Sequence, residues 1–520
     1  MKRWLTLLLC ASAAVAQKPK ADADPARDLF ARPGVVQVQI TLDDAARQHL
    51  REKPREYATA RLQLGEQQFA AVGVKLKGAA GSFREFDDGP GFTVHLGKFG
   101  GEASFHGLVR FHLNNGAQDE SRLSEWLGHE LFQAAGHPAP RVTHARVRVD
   151  DRDLGVYVFR EAFDRQFLQR CFGDVHGNLY DGGFCQDIDA DLEKDSGDGP
   201  DDRADLRALC ELCRGVDADR AEALAKAVDL TRFLDFAALE AMLGHWDGYC
   251  QNRNNFRLWL PTGAGAVFLP HGMDQLLGDS EAAVLDHPPA FVASAVMQVP
   301  ALRKRYRERL RALLPLFAPA RVQARFDAVV RALEKEYATL DAERRRQHLD
   351  AARDLLQRLQ DRHRALEKLV RGPEPKPQAL AVGKSLALRT WHPAAETEGV
   401  ELGKKDYRGV ATLMLACTGD GDGARHAAFR CNLLLAHGRY QLRAVARCEG
   451  VRADDEHGMA LRVDGAASEL GRGDHNWRPL RCDFEVGEFQ RNVELRLDLE
   501  AAAGKAWFRF DSLQLVRLPD

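Results

Sequence analysis

Between residues 372 and 377 the chain reads Gly-Pro-Glu-Pro-Lys-Pro, and the sequence changes character across it. Alternating prolines hold a chain extended and remove backbone donors, so neither a helix nor a sheet ladder continues through such a stretch. Long charged segments with helical apolar spacing lie before it. Short runs that alternate apolar and polar residues lie after it, at Ser385 to Arg389, Leu433 to Leu435, Gly438 to Val445, Met459 to Val463, Asn492 to Leu499 and Lys505 to Leu515. Regular short strands between Gly-rich turns predict a separate β-sandwich or jelly roll over residues 378–520. With 520 residues in all, at 45% hydrophobic and 29% charged, the rest is long enough for a large folded unit and too apolar for disorder.

The N-terminus has the three parts of an export signal: Lys2-Arg3, an apolar run from Trp4 to Cys10, and small residues ending at Ala16. Cleavage is expected after Ala16, and the apolar run is too short to span a bilayer. The mature protein is therefore expected to be secreted, periplasmic or in the cell envelope, with no transmembrane segment. Lys and Arg number 73 against 76 Asp and Glu, a formal charge of -3, so no global field holds nucleic acid or an anionic membrane. Any anionic ligand must be bound by a local cluster. Nine cysteines remain after the signal, too few for a disulfide scaffold. Cys210 and Cys213 sit in an apolar helical stretch without a second ligand pair, which suits burial rather than zinc.

Residues 17–371 form the larger unit. Residues 17–34 read as a polar tail. From about 35 to 184 the pattern mixes strands (Val35 to Ile40, Arg61 to Leu64, Ala71 to Lys77, Phe92 to Leu96, Val109 to Leu113, Val142 to Val149, Leu154 to Phe159) with one helix over Ser121 to Ala135. From about 185 to 371 it is mainly helical. A helix from Thr231 to Gly244 is apolar on most faces and is predicted to be buried. A β-hairpin follows at Phe256 to Leu260 and Ala266 to Leu269, and then long charged helices broken near Pro315 and Pro319. The Arg344-Arg345-Arg346 run is expected to be a solvated face. The acidic stretch from Asp187 to Asp202 lacks the glycine of a calcium loop and is expected to be a solvated loop.

The segment that carries chemistry is His245-Trp246-Asp247, continuing to Asn252. Its His-x-Asp-x4-Asn spacing matches a protein-kinase catalytic loop. A carboxylate orients an acceptor hydroxyl, and an amide oxygen a few residues on holds a metal. A buried helix leads in, and the hairpin leads out to Asp274, a second acid just past a strand. Upstream, Lys75 and Lys77 share one strand face, and Gly78 to Phe83 suits a phosphate loop. Arg110 lies on the strand before the Ser121 helix, where a kinase has its phosphate-pairing cation, with Glu125 or Glu130 as its partner. Phe159-Arg160-Glu161-Ala162 is placed as the hinge against adenine.

These stretches resemble the CotH kinase family of atypical secreted or spore-coat protein kinases. The resemblance rests on Lys77-Gly78 with Ser82-Phe83, Phe111 to Asn115 with Asp119, Gly155-Val156-Tyr157 with Glu161, and Asn178-Leu179-Tyr180. It continues through Trp246 to Tyr249, Asn252 with Asn254-Asn255-Phe256, and Met273-Asp274, covering about residues 60 to 280. It implies an α+β, two-lobed kinase-like fold, ATP with Mg²⁺ or Mn²⁺, and phosphoryl transfer to Ser or Thr of a secreted or envelope protein. Asp247 would be the catalytic base, Asn252 and Asp274 the metal ligands, and Lys77, Arg110 and Glu161 the nucleotide contacts. Spore-coat members tend to carry Trp-Asp-x-Asp in the last block, where this chain has His271 and Gly272. A competing reading is a pseudokinase platform joined to a glycan-binding sandwich, with Trp477, Tyr440 and Trp507 available for sugar stacking.

Overall fold

The computed structural model describes residues 24–214, 220–284, 288–372, 376–395, 399–418, 423–463, 465–487 and 491–519. The expected export segment, residues 1–16, lies outside them. Contacts divide the chain into one compact unit ending at Arg371 and another beginning at Gly372.

In the first unit, seven strands close a barrel: β1 (Val35–Thr41), β2 (Ala58–Leu64), β3 (Gln67–Lys77), β4 (Gly91–His95), β5 (Arg110–Asn114), β6 (Val142–Val149) and β7 (Arg152–Glu161). They run in the order β1-β2-β3-β4-β5-β7-β6, and β1 pairs parallel with β6 to complete the ring. Strand alternation decides what goes where. Val72, Val74, Leu76, Phe92, Val94, Phe111, Leu113 and Phe159 fill one buried core inside the barrel. The alternate residues Lys75, Lys77, His112, Asn114 and Arg160 point away from it.

The Ser121 helix begins later than its apolar pattern suggests, at Ser124–Ala134. Arg122 has φ +61°, which a right-handed helix excludes. Asp119 closes the start instead, accepting the Ser121 and Ser124 amides at 3.0 and 2.8 Å.

A second sheet orders β11-β10-β8-β9, from β8 (Gly177–Asp181), β9 (Glu193–Gly197), β10 (Phe256–Pro261) and β11 (Val267–Pro270). The hairpin is where the sequence put it. The acidic stretch is not a solvated loop throughout: Glu193–Gly197 pairs with β8, and Asp187 is buried, accepting from the Ile188 and Phe291 amides and the Tyr249 hydroxyl. The polar tail also contains a short helix, Arg27–Ala31, whose Phe30 enters the barrel core.

The buried helix spans Leu230–Leu243 and stops at Gly244, which takes the left-handed conformation. Helices Pro300–Leu313, Pro319–Glu336 and Ala342–Arg371 complete the unit, the first two separated by a 3₁₀ turn over Leu314–Phe317. Cys210 and Cys213 are buried, and the Cys210 thiol donates to the Ile188 carbonyl. Among the described residues no helix is long and apolar enough to cross a membrane.

The second unit is a β-sandwich. One sheet joins β12 (Ser385–Ala387), β23 (Gln514–Arg517), β17 (Gly438–Arg452), β22 (Ala503–Arg509), β15 (Val410–Cys417) and β14 (Val400–Tyr407), with β20 (Gly473–Val486) on the other edge of β17. The facing sheet orders β13 (His392–Ala395), β16 (Arg425–Leu435), β21 (Arg491–Ala501), β18 (Gly458–Val463) and β19 (Ala466–Ala467). Inner faces supply one core that includes Leu415, Leu442, Leu461, Leu497 and Phe508. Tyr440 belongs to that core, with its hydroxyl on the Ala436 carbonyl, so it offers no surface for sugar stacking.

Candidate functional site

A cleft of about 880 Å³ is lined by residues of β3, β5, β8 and β10, the Gly78–Ser82 loop, the His245–Asn255 loop and the segment His271–Gln275. This volume lies within the range of small-molecule sites. Lys77, Asp247, Asn252 and Asp274 all line it.

Lys77 is the last residue of β3, and its outward parity places its ammonium on the Asn114 side-chain oxygen. The Asn114 amide donates to Glu125 Oε2 at 2.6 Å, so an asparagine joins the lysine to the helix carboxylate. Glu125 is buried. Burial opposes its charge, but His129 at 3.9 Å and Arg160 at 3.4 Å outweigh that and bring it down to about 2. Burial acts the other way on Lys77, lowering it to about 8 with the help of the Arg160 charge.

The loop after β3 turns on itself. The Phe83 amide donates to the Ala79 carbonyl at 2.9 Å, and the Ala79 amide to the Ser82 hydroxyl at 3.1 Å. A Cβ at Gly78, which has φ +114°, would lie 2.9 Å from the Phe83 backbone, so only glycine closes this turn. Asn115 holds the loop from below, donating to the Ser82 and Gly89 carbonyls at 3.1 Å each.

The catalytic-type loop is fixed by its own amides and by one buried acid. Asn252, Asn254 and Asn255 each donate a side-chain N–H to the Asp247 carboxylate, the last two at 3.1 and 2.7 Å. Arg253 and Asn255 have φ +54° and +48°, left-handed turns that bring these amides around the one carboxylate. Glu240, on the buried helix, accepts the Tyr249 and Cys250 amides at 2.9 Å each. Burial raises Glu240 to about 7. His245 Nε2 donates to the Gly272 carbonyl at 3.2 Å, tying this loop to the segment that carries Asp274.

Asp274 accepts no hydrogen bond from another residue among the described residues. Burial, then the Glu125 charge, raises it to about 6. Because the Asn252 amide nitrogen serves Asp247, its Oδ1 remains an open acceptor. These oxygens suit a hard cation such as Mg²⁺ or Mn²⁺, which uses few carboxylates and completes its shell with water and phosphate. Among the described residues no group of three His, Cys, Asp or Glu stands ready to hold a metal unaided. An acid of the spore-coat pattern at position 272 would displace the Asn255 amide that donates to Asp247: Gly272 has φ +56°, and a Cβ there would lie 2.1 Å from Asn255 Oδ1.

Two residues expected at the nucleotide are placed elsewhere. Arg110 does not line the cleft; it donates to the Phe163 carbonyl at 2.5 Å and faces Asp195 at 3.8 Å. Glu161 is buried between Arg141 and Arg170, at 2.9 and 2.6 Å, as part of the joint between β7 and the next helix. Its carboxylate is taken up by these two pairs, and Glu161 does not line the cleft. Glu130 pairs with Arg325 at 2.9 Å, so the acid on the Lys77 side is Glu125. Asn114, Glu240, Asn254, Asn255 and His271 gained no role from the sequence. Their signals were faint: an outward position two residues past His112, one acid in an apolar helix, and an asparagine pair after Asn252.

No curated protein matches the chain. Its structure is similar to the proinflammatory kinase CtkA of Helicobacter pylori, at 8% identity, covering 50% of this chain and 91% of that one, with a TM-score of 0.26. It is also similar to the CBM22-1 xylan-binding domain of Paenibacillus barcinonensis Xyn10C, at 14% identity, covering 28% and 99%, with a TM-score of 0.18. A family 35 carbohydrate-binding module from Clostridium thermocellum matches at 14% identity, covering 24% and 97%, with a TM-score of 0.15. The family model described as CotH kinase protein matches residues 77–368, a span that starts at the cleft lysine and takes in the whole cleft beyond it; the chain belongs to the CotH kinase family.

Proposed function

We propose that this chain is an exported, ATP-dependent protein kinase that transfers the γ-phosphoryl group to Ser or Thr hydroxyls of an envelope or coat protein. The observation that carries the reading is one cleft lined by the amide-held Asp247, the Lys77–Asn114–Glu125 relay and the open Asp274 carboxylate. Asp247 orients the acceptor hydroxyl and takes its proton. Lys77, steered by Asn114, neutralises phosphate oxygens. Asn252 Oδ1 and Asp274 would hold the divalent ion, which when bound offsets charge on the transferring group. Arg110 and Glu161 act at a distance from the ligand in this account, through packing. Export rests on the Met1–Ala16 pattern alone.

A specific observation also favours a non-transferring version. Both Asp247 oxygens are already engaged by amides, and Gly272 supplies no second acid. In that reading the cleft binds nucleotide and the chain works as an envelope platform. The sandwich would anchor either version to polysaccharide. Support comes from Tyr407 and Trp477, half-buried on the outer face of its larger sheet; Trp507 and Met414 beside them are buried, and the Arg447 guanidinium lies over all three rings. Incubation of the mature protein with γ-labelled ATP and Mn²⁺ or Mg²⁺, alongside thermal-shift titration, separates these readings. Label in the wild type supports transfer, a shift without label supports the platform, and neither removes the kinase reading.

A further inference from the structure

His271 stands where spore-coat relatives tend to carry tryptophan, and the mechanism above leaves it without a task. It follows β11 directly, and its backbone amide donates to the Asn255 carbonyl at 3.1 Å. The ring meets Phe163 edge-on, with centroids 5.9 Å apart at 88°. Its Nδ1 is 2.6 Å from Nη1 of Arg160. Arg160 is only 1% exposed and has its Nε 3.4 Å from Glu125, so its position is fixed.

A guanidinium only donates hydrogen bonds. His271 Nδ1 must therefore present its lone pair to Arg160, and the ring proton of the neutral form must sit on Nε2. Protonation of both nitrogens is opposed by burial and by the Arg160, Arg257 and Lys77 charges, which push the ring well below its ordinary range. Nε2 has no hydrogen-bond partner among the described residues, yet it is not one of the enclosed polar atoms left unpaired. It opens to the cleft that His271 lines with Lys77, Arg257 and Asp274. The result is a neutral donor, fixed in direction by a buried arginine, on the cationic side of a nucleotide-sized cleft.

We propose that His271 donates a hydrogen bond through Nε2–H to a phosphate oxygen of a nucleotide bound in this cleft. The inference rests on the nucleotide-binding part of the reading above and adds a specificity residue to it. An anionic oxygen is the acceptor that suits this position, because the neighbouring cations favour negative charge and a ring held neutral adds a directional bond rather than another charge.

The test is calorimetric titration of the intact protein with ADP, adenosine and inorganic phosphate in buffer containing Mg²⁺, for the wild type, His271→Phe and His271→Gln. His271→Phe is expected to weaken ADP about tenfold, the value of one hydrogen bond to a charged group, and to leave adenosine unchanged. His271→Gln, which keeps a donor, is expected to recover most of the loss. Nitrogen-detected NMR of the imidazole is expected to show the Nε2–H tautomer in the free protein and a shift of that signal with ADP but not with adenosine. Equal ADP affinity in wild type and His271→Phe overturns the proposal, as does an Nδ1–H tautomer. A response to inorganic phosphate equal to that with ADP overturns the assignment to a nucleotide. Absence of ADP binding in the wild type overturns the nucleotide reading itself, and the proposal with it.

Discussion

Replacing Glu240 by glutamine removes one buried titratable group and leaves the shape of the side chain almost unchanged, so its effect on stability isolates what that group does. Glu240 is 2% exposed and accepts two backbone amides of the catalytic-type loop at 2.9 Å each. Burial raises its pKa from 4.5 to about 7, so the folded chain holds this proton over a range where the unfolded chain has released it. The fold therefore binds more protons than the unfolded state between those values, and stability falls as pH rises through that window. The shift corresponds to about 3 kcal/mol, present in full below pH 4.5 and gone above about pH 7. Glutamine does not titrate. It can still accept one of the two amides, so its own cost is about 1 to 2 kcal/mol at any pH. Urea unfolding of wild type and variant at pH 5 and pH 7.5 is then expected to show the variant less stable at the lower pH. The gap should close or reverse at the higher pH. Parallel profiles, with the same difference at both values, would refute the assignment of this proton to Glu240.

Further outcomes follow from the same geometry. Gly272→Asp, which would restore the spore-coat acid, is expected to lower the melting temperature by several degrees, since its Cβ meets Asn255 Oδ1 at 2.1 Å on a backbone with φ +56°; an unchanged melting temperature with added metal affinity would contradict this. Burial lowers the Lys77 ammonium to about 8, so affinity for ATP is expected to fall as pH rises through that value, measured by calorimetry, and to stay flat in Lys77→Met. Asn114→Leu breaks the link between Lys77 and Glu125; ATP binding should weaken about tenfold while the fold persists, and wild-type affinity would show that the relay is not needed.

The sequence disclosed those parts of the molecule that depend on local periodicity. Alternation in β3 placed Lys77 outward, and the catalytic-type loop was legible because its spacing is itself local. What escaped was set by distant partners. Arg110 and Asn114 lie on the same outward face of β5, at opposite ends of it, and it is Asn114 that meets Glu125 while Arg110 meets the Phe163 carbonyl. Glu193–Gly197 is polar throughout and becomes a strand because β8 offers it an edge. Tyr440 and Trp507 both sit on predicted strands, yet one faces the core and the other the outer sheet surface, a matter of which parity the sandwich buries. Glu161 reads as a hinge acid in linear order, and two arginines from separate elements take it out of the cleft.

On the proposed function, Asp247 serves phosphoryl transfer from this cleft. Its most direct test is single-turnover transfer from γ-labelled ATP with Mn²⁺, with the phosphorylated residue located by mass spectrometry, in wild type and Asp247→Asn. Phosphoserine or phosphothreonine is expected in the wild type and a rate lower by a factor of about 10² to 10⁴ in the variant, with ATP binding retained. Transfer at equal rates in the two proteins would contradict it.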